Sequence, residues 1–124
     1  KAAVARYDKK NDLALVMTEA LVEPLPLSQA LPYPGYWVMA AGTADGYEGS
    51  ISFGNVMNGT DTEVLITVPV SHGNSGGPLV DNEGNVVGTN TWHRIGEQYN
   101  GAISLDAMCR KIMKCDGKFY WSRD

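Results

Sequence analysis

Residues 71–80 read Ser71-His72-Gly73-Asn74-Ser75-Gly76-Gly77-Pro78-Leu79-Val80. Ser75 stands among small residues that let backbone and substrate approach closely, because glycine lacks the Cβ that would stand in the way. Acyl transfer needs that access. It also needs two N–H groups aimed at the oxygen that becomes negative in the transition state. The amides of Gly73 and Ser75 are the candidates. Pro78 closes the turn and starts the next short strand. A glycine-rich turn with an incidental serine is the plain alternative, and the flanking sequence decides between the two.

On the N-terminal side of the motif, Glu63–Val70 (EVLITVPV) alternates as a strand does. On the other side, Pro78–Val80 is a short strand, Asp81–Gly84 (DNEG) a turn, and Asn85–Trp92 a Val- and Thr-rich strand. Tyr36–Ala41, Gly49–Met57 and Gly101–Leu105 complete a regular series, with Asn58-Gly59 as a hairpin turn signal. Asn58-Gly59-Thr60 also matches a glycosylation sequon, and the hairpin turn is the preferred reading. Asp106–Met113 has helical spacing, with Asp106 as a candidate cap. These elements predict an all-β fold: a six-stranded antiparallel Greek-key barrel closed by a short C-terminal helix. Further upstream, residues 1–8 read as an edge strand and residues 12–17 (DLALVM) as a buried strand led by an acid. Prolines 24, 26, 32 and 34 exclude regular structure between them and the barrel.

The expected organisation is therefore residues 1–17 as the remnant of a first barrel or an inter-barrel segment carrying the acid, 18–34 as a connection, 35–116 as the barrel with its helix, and 117–124 as a tail. The tail, with Phe119, Tyr120 and Trp121 adjacent, is expected to pack back on the barrel or to cover apolar surface.

The bulk composition restricts the options. The 124 residues fit one domain, and 44% hydrophobic residues argue against disorder. A net charge of −4 with no long basic run gives no electrostatic reason to expect nucleic acid. No apolar run approaches the roughly 20 residues of a membrane span. Cys109 and Cys115, six apart, would point to nearly opposite sides of a regular helix, so two reduced thiols are the expectation; a bond would require the chain to turn near 114–117. No metal site and no cofactor are expected.

Taken together, the serine motif and the strands on its C-terminal side resemble the trypsin-like serine peptidases, and most closely the bacterial HtrA/Deg-type branch. Four further segments agree in order. Residues 8–16 (DKKNDLALV) are similar to the segment that presents the family's catalytic acid. Residues 35–42 (GYWVMAAG) are similar to the first strand of its second barrel, 49–56 (GSISFGNV) to the next hairpin arm, and 100–105 (NGAISL) to the strand that leads into the C-terminal helix.

That resemblance implies a serine endopeptidase acting on polypeptides. Ser75 would be the nucleophile, Gly73 and Ser75 the oxyanion hole, and Asp12 the acid that orients a histidine. Asp8 competes for the last role. Asp12 is favoured because the apolar run begins directly after it. The specificity pocket would involve Pro69, Val70, His72, Thr91, Trp92, His93 and Gly101. Pro69 and Val70 carry no charge, which implies an apolar residue before the scissile bond. The resemblance slightly favours an extracytoplasmic or secreted setting.

The family's base is a histidine upstream of the acid, and no histidine precedes Asp12. His72 and His93 are expected at the cleft rim rather than in the base's place. The expectation is that these residues form the second-barrel half of a peptidase, silent without a first barrel that carries the base. The alternatives are a non-catalytic binding module on the same barrel, or a half-enzyme completed by another chain. An uncovered inter-barrel face would also favour self-association.

Overall fold

The computed structural model describes residues 2–28, 32–44, 46–69, 73–93, 100–113 and 115. Two antiparallel strands come first: β1 (Ala2–Asp8) and β2 (Leu13–Thr18). Six further strands complete the sheet structure: β3 (Trp37–Ala44), β4 (Tyr47–Gly59), β5 (Glu63–Ile66), β6 (Pro78–Val80), β7 (Val86–His93) and β8 (Asn100–Ser104). They close into an antiparallel barrel in the order β3-β4-β5-β8-β7-β6. The chain steps from β5 across to β6 and returns to pair β8 with β5, which is the Greek-key crossing expected of the sequence. Helix α1 (Leu105–Lys111) ends the series.

The barrel interior is set by strand alternation. Val38 and Ala40 of β3, Val56 of β4, Val64 and Ile66 of β5, Leu79 of β6, Val87 of β7 and Ala102 of β8 form one cluster with Val68. Each of the larger aliphatic side chains contributes about 1.5–3 kcal/mol by leaving water. A second, smaller cluster lies outside the barrel. Leu13 of β2 packs on Ile103 of β8, on Ala107 of α1 and on Ile112, with Leu15, Met108 and Met113 around them. This cluster holds the β1–β2 pair against the barrel and so fixes where β2 begins.

The opposite face of β1–β2 has no such cover among the described residues. Val4 is paired with Val16 and Tyr7 with Ala14, and Val4, Tyr7 and Val16 are 61%, 75% and 48% exposed. Residues 19–26 run exposed between the two units. They join the barrel through the Leu27–Val86 bridge, where the Val86 amide donates to the Pro26 carbonyl at 2.8 Å. Among the described residues, no helix is long and apolar enough to cross a membrane.

Four local expectations are corrected. Cys109 and Cys115 form a disulfide. Regular helix stops at Lys111, and Ile112 has φ −135°, so the chain leaves the helical path and returns Cys115 to within 5.3 Å of Cys109, Cα to Cα. Ser104, not Asp106, caps α1: its hydroxyl accepts from the Ala107 amide at 3.1 Å, while Asp106 sits in the first turn and pairs with Arg110. Asn58 and Gly59 are the end of β4, paired with Leu65 and Val64. The reversal falls at 60–62, where Thr60 Oγ1 accepts from the Thr62 and Glu63 amides. Finally, β5 stops at Ile66 rather than Val70, because the Asn100 side chain takes the Val68 carbonyl in place of a strand partner.

Candidate active site

The loop at residues 73–77, which carries Ser75, is held between two strands. On the β7 side, the Gly76 amide donates to the Asn90 carbonyl at 2.8 Å and the Asn90 amide to the Gly77 carbonyl at 2.9 Å. On the β3 side, the Thr43 amide donates to the Gly73 carbonyl at 3.0 Å. Within the loop, the Gly77 amide donates to the Asn74 carbonyl at 2.9 Å. Gly73 and Gly76 have φ of 101° and 89°, so the loop takes its shape from two left-handed positions that glycine adopts without strain.

Asn74 is buried beneath the loop, whereas Gly73, Ser75 and Gly76 are exposed. The amides of Gly73 and Ser75 have no acceptor among the described residues. Ser75 Oγ donates to the Thr91 carbonyl at 3.1 Å.

Asp12 reaches the same residue from the other side. The β1–β2 connection is a tight turn in which the Asp12 amide donates to the Lys9 carbonyl at 3.4 Å. Asp12 has φ 56°, a left-handed conformation that Asp tolerates better than most side chains. Its Oδ2 accepts from Thr91 Oγ1 at 2.5 Å. Asp8 is committed elsewhere: its two carboxylate oxygens accept from the amide and side chain of Asn11 at 3.3 and 2.8 Å. The Asn11 side-chain bond is the main cause that holds the Asp8 carboxyl below the ordinary carboxylate range.

Of the residues singled out for the specificity pocket, Pro69 is exposed after β5, Thr91 is in β7, and Gly101 is buried in β8 opposite Leu65 and Trp92. The backbones of Trp92 and His93 pair with Gly101 and Asn100. The side chains of Trp92 and His93, all of Val70 and His72, and the tail at 117–124 lie outside the described residues.

The structure therefore brings Ser75, Asp12 and Thr91 together. Sequence reasoning puts Thr91 in the pocket wall and misses its tie to Asp12. Alternation along Val86–His93 marks which residues face inward, yet only the docking of β2 shows what an outward hydroxyl meets. Among the described residues, no cluster of three or more His, Cys, Asp or Glu side chains is placed to hold a metal.

Comparison with known proteins bears on the fold and the family. Residues 1–88 match the family model described as trypsin-like peptidase domain. The chain belongs to that family of trypsin-like serine proteases.

A probable periplasmic serine endoprotease, DegP-like, from Marinomonas sp. (strain MWYL1) is 34% identical over 104 residues, covering 73% of this chain and 21% of that protein. A second DegP-like protein, from Hahella chejuensis, is 37% identical over 97 residues, covering 68% and 20%. The anti-sigma-I factor RsgI9 of Acetivibrio thermocellus is 30% identical over 110 residues, covering 83% and 16%. The chain thus spans about a fifth or less of the length of these curated relatives.

Among solved structures, the active form of the Rv3671c protease from M. tuberculosis superposes with a TM-score of 0.84 at 19% identity, over 99% of this chain and 60% of that one. Its inactive form gives 0.74 at 23% identity, over 83% and 61%. At such identities the likeness is one of fold.

Proposed function

We propose that these residues are the nucleophile-bearing half of a serine endopeptidase that cleaves peptide bonds through an acyl-enzyme. The observation that carries this reading is the convergence of Ser75 and Asp12 on Thr91, one on its carbonyl and the other on its hydroxyl. Ser75 Oγ attacks the substrate carbonyl, and its proton passes to an imidazole that Asp12 orients and, once protonated, stabilises. The tetrahedral oxyanion is received by the amides of Gly73 and Ser75. The imidazole then returns the proton to the leaving amine, and water repeats the sequence to release the acid.

The base is a histidine supplied from outside these residues, on a first barrel that β1 and β2 help to form. Two facts support this part of the reading. Asp12 stands at the mouth of β2, and none of the eleven residues before it is histidine. The β1–β2 pair is apolar on both faces, and among the described residues only one is covered. The covered face packs on α1 and β8, and further strands would cover the other, as two-stranded sheets generally require a hydrophobic layer to be stable. The exposed Val4–Tyr7–Val16 face is also the surface through which the isolated chain would self-associate.

Substrates are polypeptides with an apolar residue before the scissile bond, in keeping with uncharged Pro69 and Val70. The test is hydrolysis of peptides with Val, Leu, Phe, Glu or Arg at that position, by a polypeptide that includes the first barrel. Cleavage after Val, Leu or Phe that is lost in Ser75→Ala is the expected result. Preferred cleavage after Arg would refute the apolar pocket.

A further inference from the structure

The loop that carries Ser75 is seated on β3 as closely as hydrogen bonding to β7 ties it on the other side. Next to the Thr43–Gly73 bond, Gly42 lies against the loop with no room for a side chain. A Cβ placed there would stand 2.5 Å from Asn74 Oδ1, 2.8 Å from the Gly73 carbonyl oxygen and 2.9 Å from Asn74 Cα. Gly42 is not among the positive-φ glycines, so the position needs glycine for space and not for backbone conformation. The Asn74 side chain fills that space. It is 1% exposed, and its Oδ1 has no donor among the described residues. A buried, unpaired amide oxygen is unfavourable in itself. Asn74 therefore sits in this slot because of its fit against β3, not because of a bond it makes there.

We propose that Gly42 is a positioning residue for Ser75: the slot it leaves, filled by Asn74, sets the height of Gly73–Ser75 over β3. This rests on the reading of Ser75 as nucleophile. The opposite end of the loop is tied to Asn90, so material added at Gly42 has one place to push. Gly73 and Asn74 tilt while Gly76 and Gly77 stay held. That tilt moves the Gly73 and Ser75 amides relative to the substrate carbonyl. Small misplacements of this kind act on the chemical step more than on binding.

The test compares Gly42→Ala, Asn74→Ala and the double variant in two settings. In the 124-residue chain, amide chemical shifts are followed by NMR. In a polypeptide that includes the first barrel, the rate of Ser75 labelling by a fluorophosphonate is measured beside the affinity of an uncleavable peptide. Gly42→Ala should shift the Gly73–Gly77 amides and leave those of Val38, Ile66 and Val87 in place. It should slow labelling by roughly 10- to 100-fold. Peptide affinity should change by no more than about threefold. The double variant, which lacks the Oδ1 contact, should recover part of the rate.

If Gly42→Ala fails to fold, Asn74→Ala is the deciding variant, because it empties the slot and adds nothing at Gly42: the Gly73–Gly77 amides should shift and labelling should slow while peptide affinity holds. Unmoved loop amides, or labelling within about twofold of the parent, would overturn the proposal. So would an equal loss of rate and affinity. A parent polypeptide that never labels at Ser75 would sink the nucleophile reading instead, while loop shifts in the 124-residue chain would still support the Gly42 seat.

Discussion

Thr91 donates its hydroxyl to Asp12 across 79 positions of sequence, and the bond joins the β1–β2 pair to the barrel beside Ser75. Thr91→Val keeps the shape of the side chain and removes the donor. We expect urea unfolding to show a loss of about 1 kcal/mol, since Asp12 is exposed and can turn to water. Thr91→Ser should keep most of the parent stability. An equal loss in both variants would mean that the methyl group, not the hydroxyl, matters.

Asp12 combines a charge with a left-handed backbone, and the two roles separate by mutation. Asn tolerates the same conformation. Asp12→Asn should therefore change stability by less than about 1 kcal/mol. Once a histidine is in place, it should slow peptide cleavage by a factor on the order of ten thousand, because the imidazole loses its orienting charge. Asp12→Val should in addition destabilise the fold by about 1–3 kcal/mol, through strain at positive φ. Calorimetry and steady-state kinetics on the same variants check both halves.

The Cys109–Cys115 disulfide locks the turn that places Ile112 and Met113 beside Leu13 and Leu15. Reduction, or replacement of both cysteines by serine, should lower stability by about 2 kcal/mol. The loss should be local at first. Hydrogen exchange at Leu13 and Leu15 should accelerate before exchange at Val38 or Ile66, because only the outer cluster depends on this turn. Uniform acceleration would contradict that order.

Asp8 gives a pH signature. Its carboxyl is held below the ordinary value of 3.8, chiefly by the Asn11 side chain. A folded-state value below the unfolded one contributes stability above the unfolded value, and that contribution is lost as pH falls through the folded value. Stability should therefore drop as pH falls below 3.8, and Asp8→Asn should flatten that part of the curve. Urea midpoints between about pH 2 and pH 5 provide the check. A curve unchanged by Asp8→Asn would contradict the assignment.

Much of the fold is legible in the sequence because barrel strands alternate and the turns are marked by glycine. Val64 and Ile66 point inward, and Asp81–Gly84 turns where the sequence says it should. The glycines around Ser75 likewise mark a tight loop, in which Gly73 and Gly76 take left-handed backbone. The features that escape such reading depend on distant partners or on competition between neighbours. Ser104 outcompetes Asp106 as cap because the last strand residue already has its hydroxyl beside the Ala107 amide. The cysteines pair because the helix ends earlier than its apolar spacing suggests. Asn58-Gly59 has turn chemistry, yet pairing with Val64 and Leu65 draws it into the strand. Neither the Thr91–Asp12 bond nor the slot at Gly42 leaves a local trace.

The most direct test of Ser75 as a nucleophile with an external base is covalent labelling by a fluorophosphonate, read by mass spectrometry of the modified peptide. The 124-residue chain alone should remain unlabelled. A polypeptide that includes the first barrel and its histidine should label at Ser75, and Ser75→Ala should abolish the adduct. Labelling of the isolated chain would contradict an external base. Absence of labelling in the longer polypeptide, or an adduct that survives Ser75→Ala, would contradict Ser75 as the nucleophile.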